Sequence, residues 1–126
     1  MKVAYVDTSC LVAVAFADAR ATAVTRRLKS FDELVSSNLL EAELRSVFAR
    51  ERVPVDSDLP FAISWVVPDR PLTDEIVRVL DAGYVRGADC WHLAVALYLA
   101  QDPASIAFAT VDDRQEVVAR ELGFRV

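Results

Sequence analysis

Apolar positions along the chain follow two spacings in turn. Lys2–Val6 is a short, β-branched run, and Ser9–Phe16 then switches to helical spacing, with Leu11, Val12 and Ala15 at i, i+1 and i+4. Ala21–Lys29 predicts a helix, Glu33–Ser36 a strand, and Leu39–Arg50 a longer helix with Leu40, Leu44 and Val47 on one side. Prolines and aspartates break the pattern around Pro54–Pro60, Phe61–Val67 is apolar, and Pro68–Pro71 marks another turn. Thr73 is placed to cap a helix with Asp74 and Glu75 in its first turn, Ile76, Val79 and Leu80 on its face and Gly83 at its end. Asp89–Leu99 is apolar and helical, Ile106–Ala109 reads as a buried strand, Asp113–Leu122 as a helix closed by Gly123, and Phe124–Val126 as a last strand.

Strands alternating with helices over short connections predict an α/β fold with a mostly parallel sheet covered on both faces. Strand order is not legible from this pattern. In such open sheets the functional crevice lies beyond the carboxyl ends of the strands, which directs attention to Asp7 and Asp112.

With 126 residues, 54% of them apolar, the chain is expected to form one domain over residues 1–126. No apolar run reaches the roughly 18 to 20 residues of a membrane helix, and the strand-like start lacks the form of a signal peptide, so a soluble, cytoplasmic protein without membrane contact is expected. Cys10 and Cys90 lie in apolar helical stretches without CxxC spacing and read as reduced core thiols. The net charge of -5 argues against a general nucleic-acid coat, which would carry a basic face. If RNA is the substrate, bound metal must offset the acidity of the site.

Four acids stand out. Asp7 follows a buried-looking strand beside the start of a helix, where it could simply cap that helix. Glu41 has Arg45 at i+4 and reads as a solvated pair, whereas Glu43 has Leu39, Leu40 and Val47 around it and needs a partner or a metal. Asp89 opens a helix and could be its cap. Asp112 and Asp113 share a strand end, one free to face the crevice while the other starts the helix, and Asp112 is favoured for the site. His92, the only histidine, falls one turn after Asp89; a packed helix histidine is the preferred reading over a ligand or proton shuttle. Thr8, Ser9 and Thr110 could orient these acids or simply close turns.

Three glycines form no GxGxxG or GxxxxGK loop, one histidine excludes the common zinc arrangements, and no Gly-x-Ser-x-Gly elbow is present. A haloacid-dehalogenase-like phosphatase would need a second aspartate after Asp7-Thr8-Ser9, and a receiver-like domain a lysine after its last core strand; the only lysines are Lys2 and Lys29.

Tyr5-Val6-Asp7-Thr8-Ser9, the Ser37/Leu39/Glu43 spacing, Arg86-Gly87-Ala88-Asp89-Cys90-Trp91-His92-Leu93-Ala94, and Thr110-Val111-Asp112 followed by Glu121-Leu122-Gly123 resemble the PIN-domain family, in particular its VapC-type toxins. The likeness spans essentially the whole chain. It implies a three-layer α/β/α sandwich and an active site of Asp7, Glu43, Asp89 and Asp112 that binds Mg²⁺ or Mn²⁺ and cleaves RNA endonucleolytically to leave 5′-phosphates. It also implies inhibition by a cognate antitoxin and a homodimer. Cys90 and Trp91 depart from the usual small or aliphatic residues after the third acid and are expected to reshape the pocket wall. Arg52–Pro71 carries no motif, so substrate choice is not transferable.

Crowded carboxylates within about 4 to 6 Å raise one another's pKa, and a divalent cation relieves them. Mg²⁺ prefers oxygen ligands and keeps several waters, which suits such a site. Asp7, Asp89 and Asp112 are assigned to metal binding, and Glu43 to a metal-bound water or a second metal position. Arg26, Arg27, Lys29, Arg50, Arg52 and Arg86 are the candidates for gripping the RNA backbone. The alternatives are a catalytically silent RNA- or protein-binding module of the same fold, or the phosphatase.

Overall fold

The computed structural model describes residues 1–54 and 61–126; most of the break expected at Pro54–Pro60 lies outside them. Four strands, β1 (Val3–Val6), β2 (Glu33–Ser37), β3 (Ile63–Val66) and β4 (Ala107–Ala109), form one sheet in the order β3-β2-β1-β4. Every pairing is parallel, which sharpens the mostly parallel expectation. Six helices surround the sheet among the described residues: α1 (Thr8–Ala15), α2 (Ala21–Lys29), α3 (Leu39–Arg50), α4 (Thr73–Ala82), α5 (Gly87–Leu99) and α6 (Asp113–Leu122).

The strand alternation divides the core into two layers, because successive side chains point to opposite faces. Ala4 and Val6 pack with Leu11, Leu28, Leu40, Leu44 and Phe48 from α1, α2 and α3. Tyr5 and Phe108 point the other way, into Val79, Leu93, Val118 and Leu122 from α4, α5 and α6. The result is the expected three-layer α/β/α sandwich. On α3 the fully buried stripe is Leu40, Leu44 and Phe48, with Val47 only half-buried at its edge.

Three readings are corrected, and one apolar stretch left without an element gains a strand. Thr73 does not cap α4: the cap position is Leu72, without a side-chain hydrogen bond. Leu80, expected on the core face of α4, is 44% exposed. The apolar stretch Phe61–Val67 contains a short edge strand, β3, whose Trp65 is exposed. Phe124–Val126 forms no strand beyond a single parallel bridge between Ala107 and Arg125, although Phe124 fills the core and Gly123 ends α6 in the left-handed region at φ 103°.

Strand order fixes where a site can form. From β1 the chain runs outward through β2 to β3, then returns to place β4 on the other side of β1. Connections leaving the ends of β1 and β4 therefore diverge to opposite sides and open a crevice between them. Asp7 follows β1 directly, and Thr110, Val111 and Asp112 follow β4. No helix among the described residues is long and apolar enough to cross a membrane.

Candidate active site

An open pocket of about 530 Å³ lies at this end of the sheet, and Asp7, Glu43, Asp89 and Asp112 all line it. They come from four places: the end of β1, the middle of α3, the first turn of α5 and the start of α6. All four acids singled out in the sequence are thus brought to one cavity. Asp113 lines a different pocket behind α6, beside Arg20 and Arg27, and Glu41 pairs with Arg45 in solvent at 3.8 Å.

Asp7 and Asp112 each serve two ends. Asp7 caps α1 through Oδ2, which accepts from the Ser9 backbone N–H at 3.1 Å. Asp112 caps α6 through Oδ1, which accepts from the Gln115 N–H at 2.9 Å. A helix N-terminus carries partial positive charge, so it stabilises a carboxylate while aiming it past the end of the helix. Capping and pocket lining are therefore one placement.

Asp89 is not a cap. Its helix begins two residues earlier at Gly87, with Arg86 at the cap position, and the Asp89 carboxylate has no hydrogen-bond partner among the described residues. Burial first, then the charges of Asp7 and Asp112, push its carboxyl above the ordinary aspartate value, with Arg86 pulling the other way.

Glu43 has the partner its position demanded. Oε1 accepts from Thr8 Oγ1 at 2.9 Å and lies 2.6 Å from His92 Nε2. Burial raises its pKa, but the hydrogen bonds from His92 and Thr8 outweigh that and leave it below the ordinary glutamate value. His92 itself is fully buried, in keeping with the packed-histidine reading.

Gln115 was not singled out in the sequence, yet it joins three of the acids. It is fully buried; Nε2 donates to Asp7 Oδ1 at 3.2 Å and to the Asp89 carbonyl at 3.3 Å, and its backbone N–H meets Asp112. Its Oε1 accepts from Thr110 Oγ1 at 2.7 Å. Thr110 Oγ1 in turn accepts from the Asp112 N–H at 3.0 Å and lies 3.2 Å from Ser9 Oγ, so the three hydroxyls flagged in the sequence are all engaged. One signal was available: Asp112-x-x-Gln115 has capping-box spacing. Here Thr110 takes the N–H that a capping-box glutamine would bind, which frees Gln115 to reach Asp7.

Cys90 and Trp91 do not shape the acidic pocket. Both line a separate apolar pocket of about 480 Å³ with Ile76, Leu80, Tyr84 and Val85. Trp91 Nε1 instead donates to Ser37 Oγ at 3.1 Å. Both thiols are free and buried, as expected. Of the six basic candidates only Arg86 lines the acidic pocket among the described residues.

No three potential ligands among the described residues stand close enough to ligate one ion directly. The donor set nonetheless fits a hard divalent cation: it is all carboxylate and hydroxyl oxygen, it opens to solvent, and Asp89 and the second oxygen of Glu43 are unengaged. A cation that retains several of its own waters needs only one or two direct carboxylates.

The family model for the PIN domain matches residues 4–121. No curated protein and no solved structure matches the chain significantly.

Proposed function

The chain belongs to the PIN domain family, a family of nucleases, and from that premise we propose that it is a divalent-metal-dependent endoribonuclease. One observation carries this reading: four carboxylates from four separate elements line a single open pocket at the switch point of a parallel sheet. Burying mutually repelling acids costs stability, and a fold keeps such an arrangement where a cation offsets it.

Asp7, Asp89 and Asp112 would hold Mg²⁺ or Mn²⁺, with Glu43 beside the attacking water or a second ion. Bound there, such an ion polarises a phosphodiester and makes water more acidic. Glu43 is kept ionised by His92 and Thr8, and its Oε2 is free to accept a proton from the water that attacks phosphorus. Arg86 reaches the same pocket and, among the described residues, offers the one cation there for a neighbouring phosphate. Asp7 and Asp112 are held by helix ends and by Gln115, so little reorganisation accompanies binding.

The finer reading is the toxin of a toxin–antitoxin pair acting on cytoplasmic RNA, inhibited by a cognate antitoxin and dimeric with itself. Its support is the apolar pocket beside the acidic one: Val85 and Gly87 line the first and Arg86 the second, so a partner segment can bury apolar side chains and reach the acids together. Exposed Leu80 and Tyr84 extend the apolar surface available to a second copy. The phosphatase reading loses ground because no lysine lines the pocket among the described residues. A silent binding module would have no use for four carboxylates gathered in one open pocket.

The test is purified, partner-free protein incubated with total RNA in Mg²⁺ or Mn²⁺, beside EDTA and Asp7→Asn controls, with fragment ends mapped by sequencing. Discrete cuts bearing 5′-phosphates, lost in both controls, are expected. Intact RNA from a folded, metal-binding protein would refute the nuclease reading and favour the silent module.

A further inference from the structure

Behind Glu43 a line of hydrogen bonds runs through the core and ends at the pocket. Tyr5 and His92 are both fully buried. Tyr5 OH accepts from the Ser37 backbone N–H at 3.1 Å and lies 2.6 Å from His92 Nδ1. His92 Nε2 lies 2.6 Å from Glu43 Oε1.

Counting protons assigns each bond. The Tyr5 oxygen already accepts from Ser37, and Nδ1 is the acceptor within reach of its phenolic proton among the described residues. Nδ1 is therefore the acceptor, and the hydrogen sits on Nε2, where it donates to Glu43. The direction of every bond follows: Ser37 N–H to Tyr5, Tyr5 O–H to His92, His92 N–H to Glu43.

Packing holds the line in place. The Tyr5 ring stacks on Phe108 at 5.3 Å and meets His92 edge-on at 5.7 Å. Ser37, at the end of β2, accepts from the Leu39 N–H at 3.0 Å and from Trp91 Nε1 at 3.1 Å, which ties the start of α3 to α5. Two fully buried polar rings are costly wherever apolar ones would pack. Their hydrogen bonds end on the one member that reaches the pocket, a glutamate whose side chain is 30% exposed, and they occupy only its Oε1.

We propose, on the reading of this pocket as a metal-dependent nuclease site, that Tyr5 and His92 are positioning residues for Glu43. They set the imidazole tautomer so that it always presents a donor to Oε1, and thereby hold Oε2 available to the pocket. Thr8 adds a second donor to the same oxygen at 2.9 Å. Glu43 and Thr8 then line the pocket, while Tyr5 and His92, which orient Glu43 from behind, are fully buried.

The test combines a spectrum independent of metal and RNA with a binding measurement. In ¹⁵N-labelled wild type, His92 is expected as the tautomer with hydrogen on Nε2. Tyr5→Phe should move Nδ1 toward the position of a ring nitrogen without a hydrogen-bond donor. For Mn²⁺ affinity, read by calorimetry, His92→Leu should lose about tenfold or more, as removal of a ligand's supporting hydrogen bond does. His92→Gln keeps a donor near Nε2 and should bind within about threefold of wild type. Circular dichroism melts confirm that the variants compared are folded. An Nδ1-protonated or doubly protonated ring in wild type would overturn the relay, and equal Mn²⁺ affinity in His92→Leu, or no recovery in His92→Gln, would overturn the positioning role. Wild type that neither binds Mn²⁺ nor cuts RNA would instead sink the nuclease reading, while the spectrum still reports separately on the relay.

Discussion

Asp89→Asn separates the cost of gathering these acids from their use. The carboxylate is half-buried, lacks a hydrogen-bond partner among the described residues, and is pushed above its ordinary pKa of 3.8 by burial and by Asp7 and Asp112. Asparagine keeps the volume and removes the charge. A like charge at about 6 Å in an effective dielectric of roughly 40 to 80 costs on the order of 1 kcal/mol. Attraction to Arg86 cancels part of this, so about 0.5 to 1 kcal/mol is the expected gain for Asp89→Asn at pH 7 without metal. In a chain of 126 residues that raises Tm by about 2 to 4 °C. The sign follows from the raised pKa: wild type loses stability as pH rises through the folded value, so the advantage of the variant is full at neutral pH and fades as acid neutralises wild-type Asp89. Mg²⁺ should reverse the order. At about ten times its Kd an ion stabilises wild type by roughly 1.4 kcal/mol, and the variant, lacking one anionic ligand, gains much less. Scanning calorimetry in EDTA and in Mg²⁺ reads both effects. A variant less stable than wild type in EDTA, or equal Mg²⁺ shifts in the two proteins, would refute the account.

Gln115→Leu removes the donor to Asp7 and the acceptor for Thr110 and leaves both partners buried, so urea unfolding should show a loss of about 2 to 4 kcal/mol. Burial, reinforced by Asp7, pushes the Cys10 thiol up to about 12 from its ordinary 9.0; native protein at pH 8 should therefore resist thiol reagents at Cys10 until denaturant is added, and ready native labelling there would contradict its placement. The same raised pKa makes Cys10 a source of instability in alkali, because the unfolded chain ionises first: stability should fall as pH is taken from about 9 toward 12, followed by denaturant titration at each pH against Cys10→Ala. Gly123→Ala places a side chain at φ 103° and should cost about 1 to 2 kcal/mol in thermal unfolding.

Helices were legible in the sequence because their signals are local. The limits of α2 and α3 follow from period, and those of α6 from period and its closing Gly123, within a window of a dozen residues, and the structure places all three over the residues expected. Strands were harder for a physical reason. β4 was read as a short buried run, but β3, four residues at the sheet edge with Trp65 in solvent, is too short to show a period and does not stand out within the apolar stretch Phe61–Val67. The tail Phe124–Val126 has an apolar character that comes from filling the core with Phe124, and only one bridge joins it to β4. Strand order is not local at all, yet it creates the crevice, by setting β4 on the far side of β1 from β2.

The acids themselves were legible because each breaks a local pattern: an aspartate ending a buried strand, a glutamate beside a core stripe, an aspartate ahead of an apolar helix. Their support was not. Gln115 is one neutral residue on an otherwise ordinary helix, and its contacts reach across 108 positions to Asp7 and 26 to Asp89. Choosing between cap and site residue also mistook two aspects of one arrangement for rivals. A strand that ends at the switch point delivers its next residue to the N-terminus of a helix, where a carboxylate is stabilised by the backbone and aimed into the crevice at once. Asp7 and Asp112 occupy such positions and each accepts a backbone N–H at a helix start, whereas Asp89 has no such cap. The uneven support has a chemical consequence: the two capped acids are anchored, whereas Asp89 gains most from an arriving cation, so metal binding should depend most steeply on the one acid that the fold itself does not stabilise.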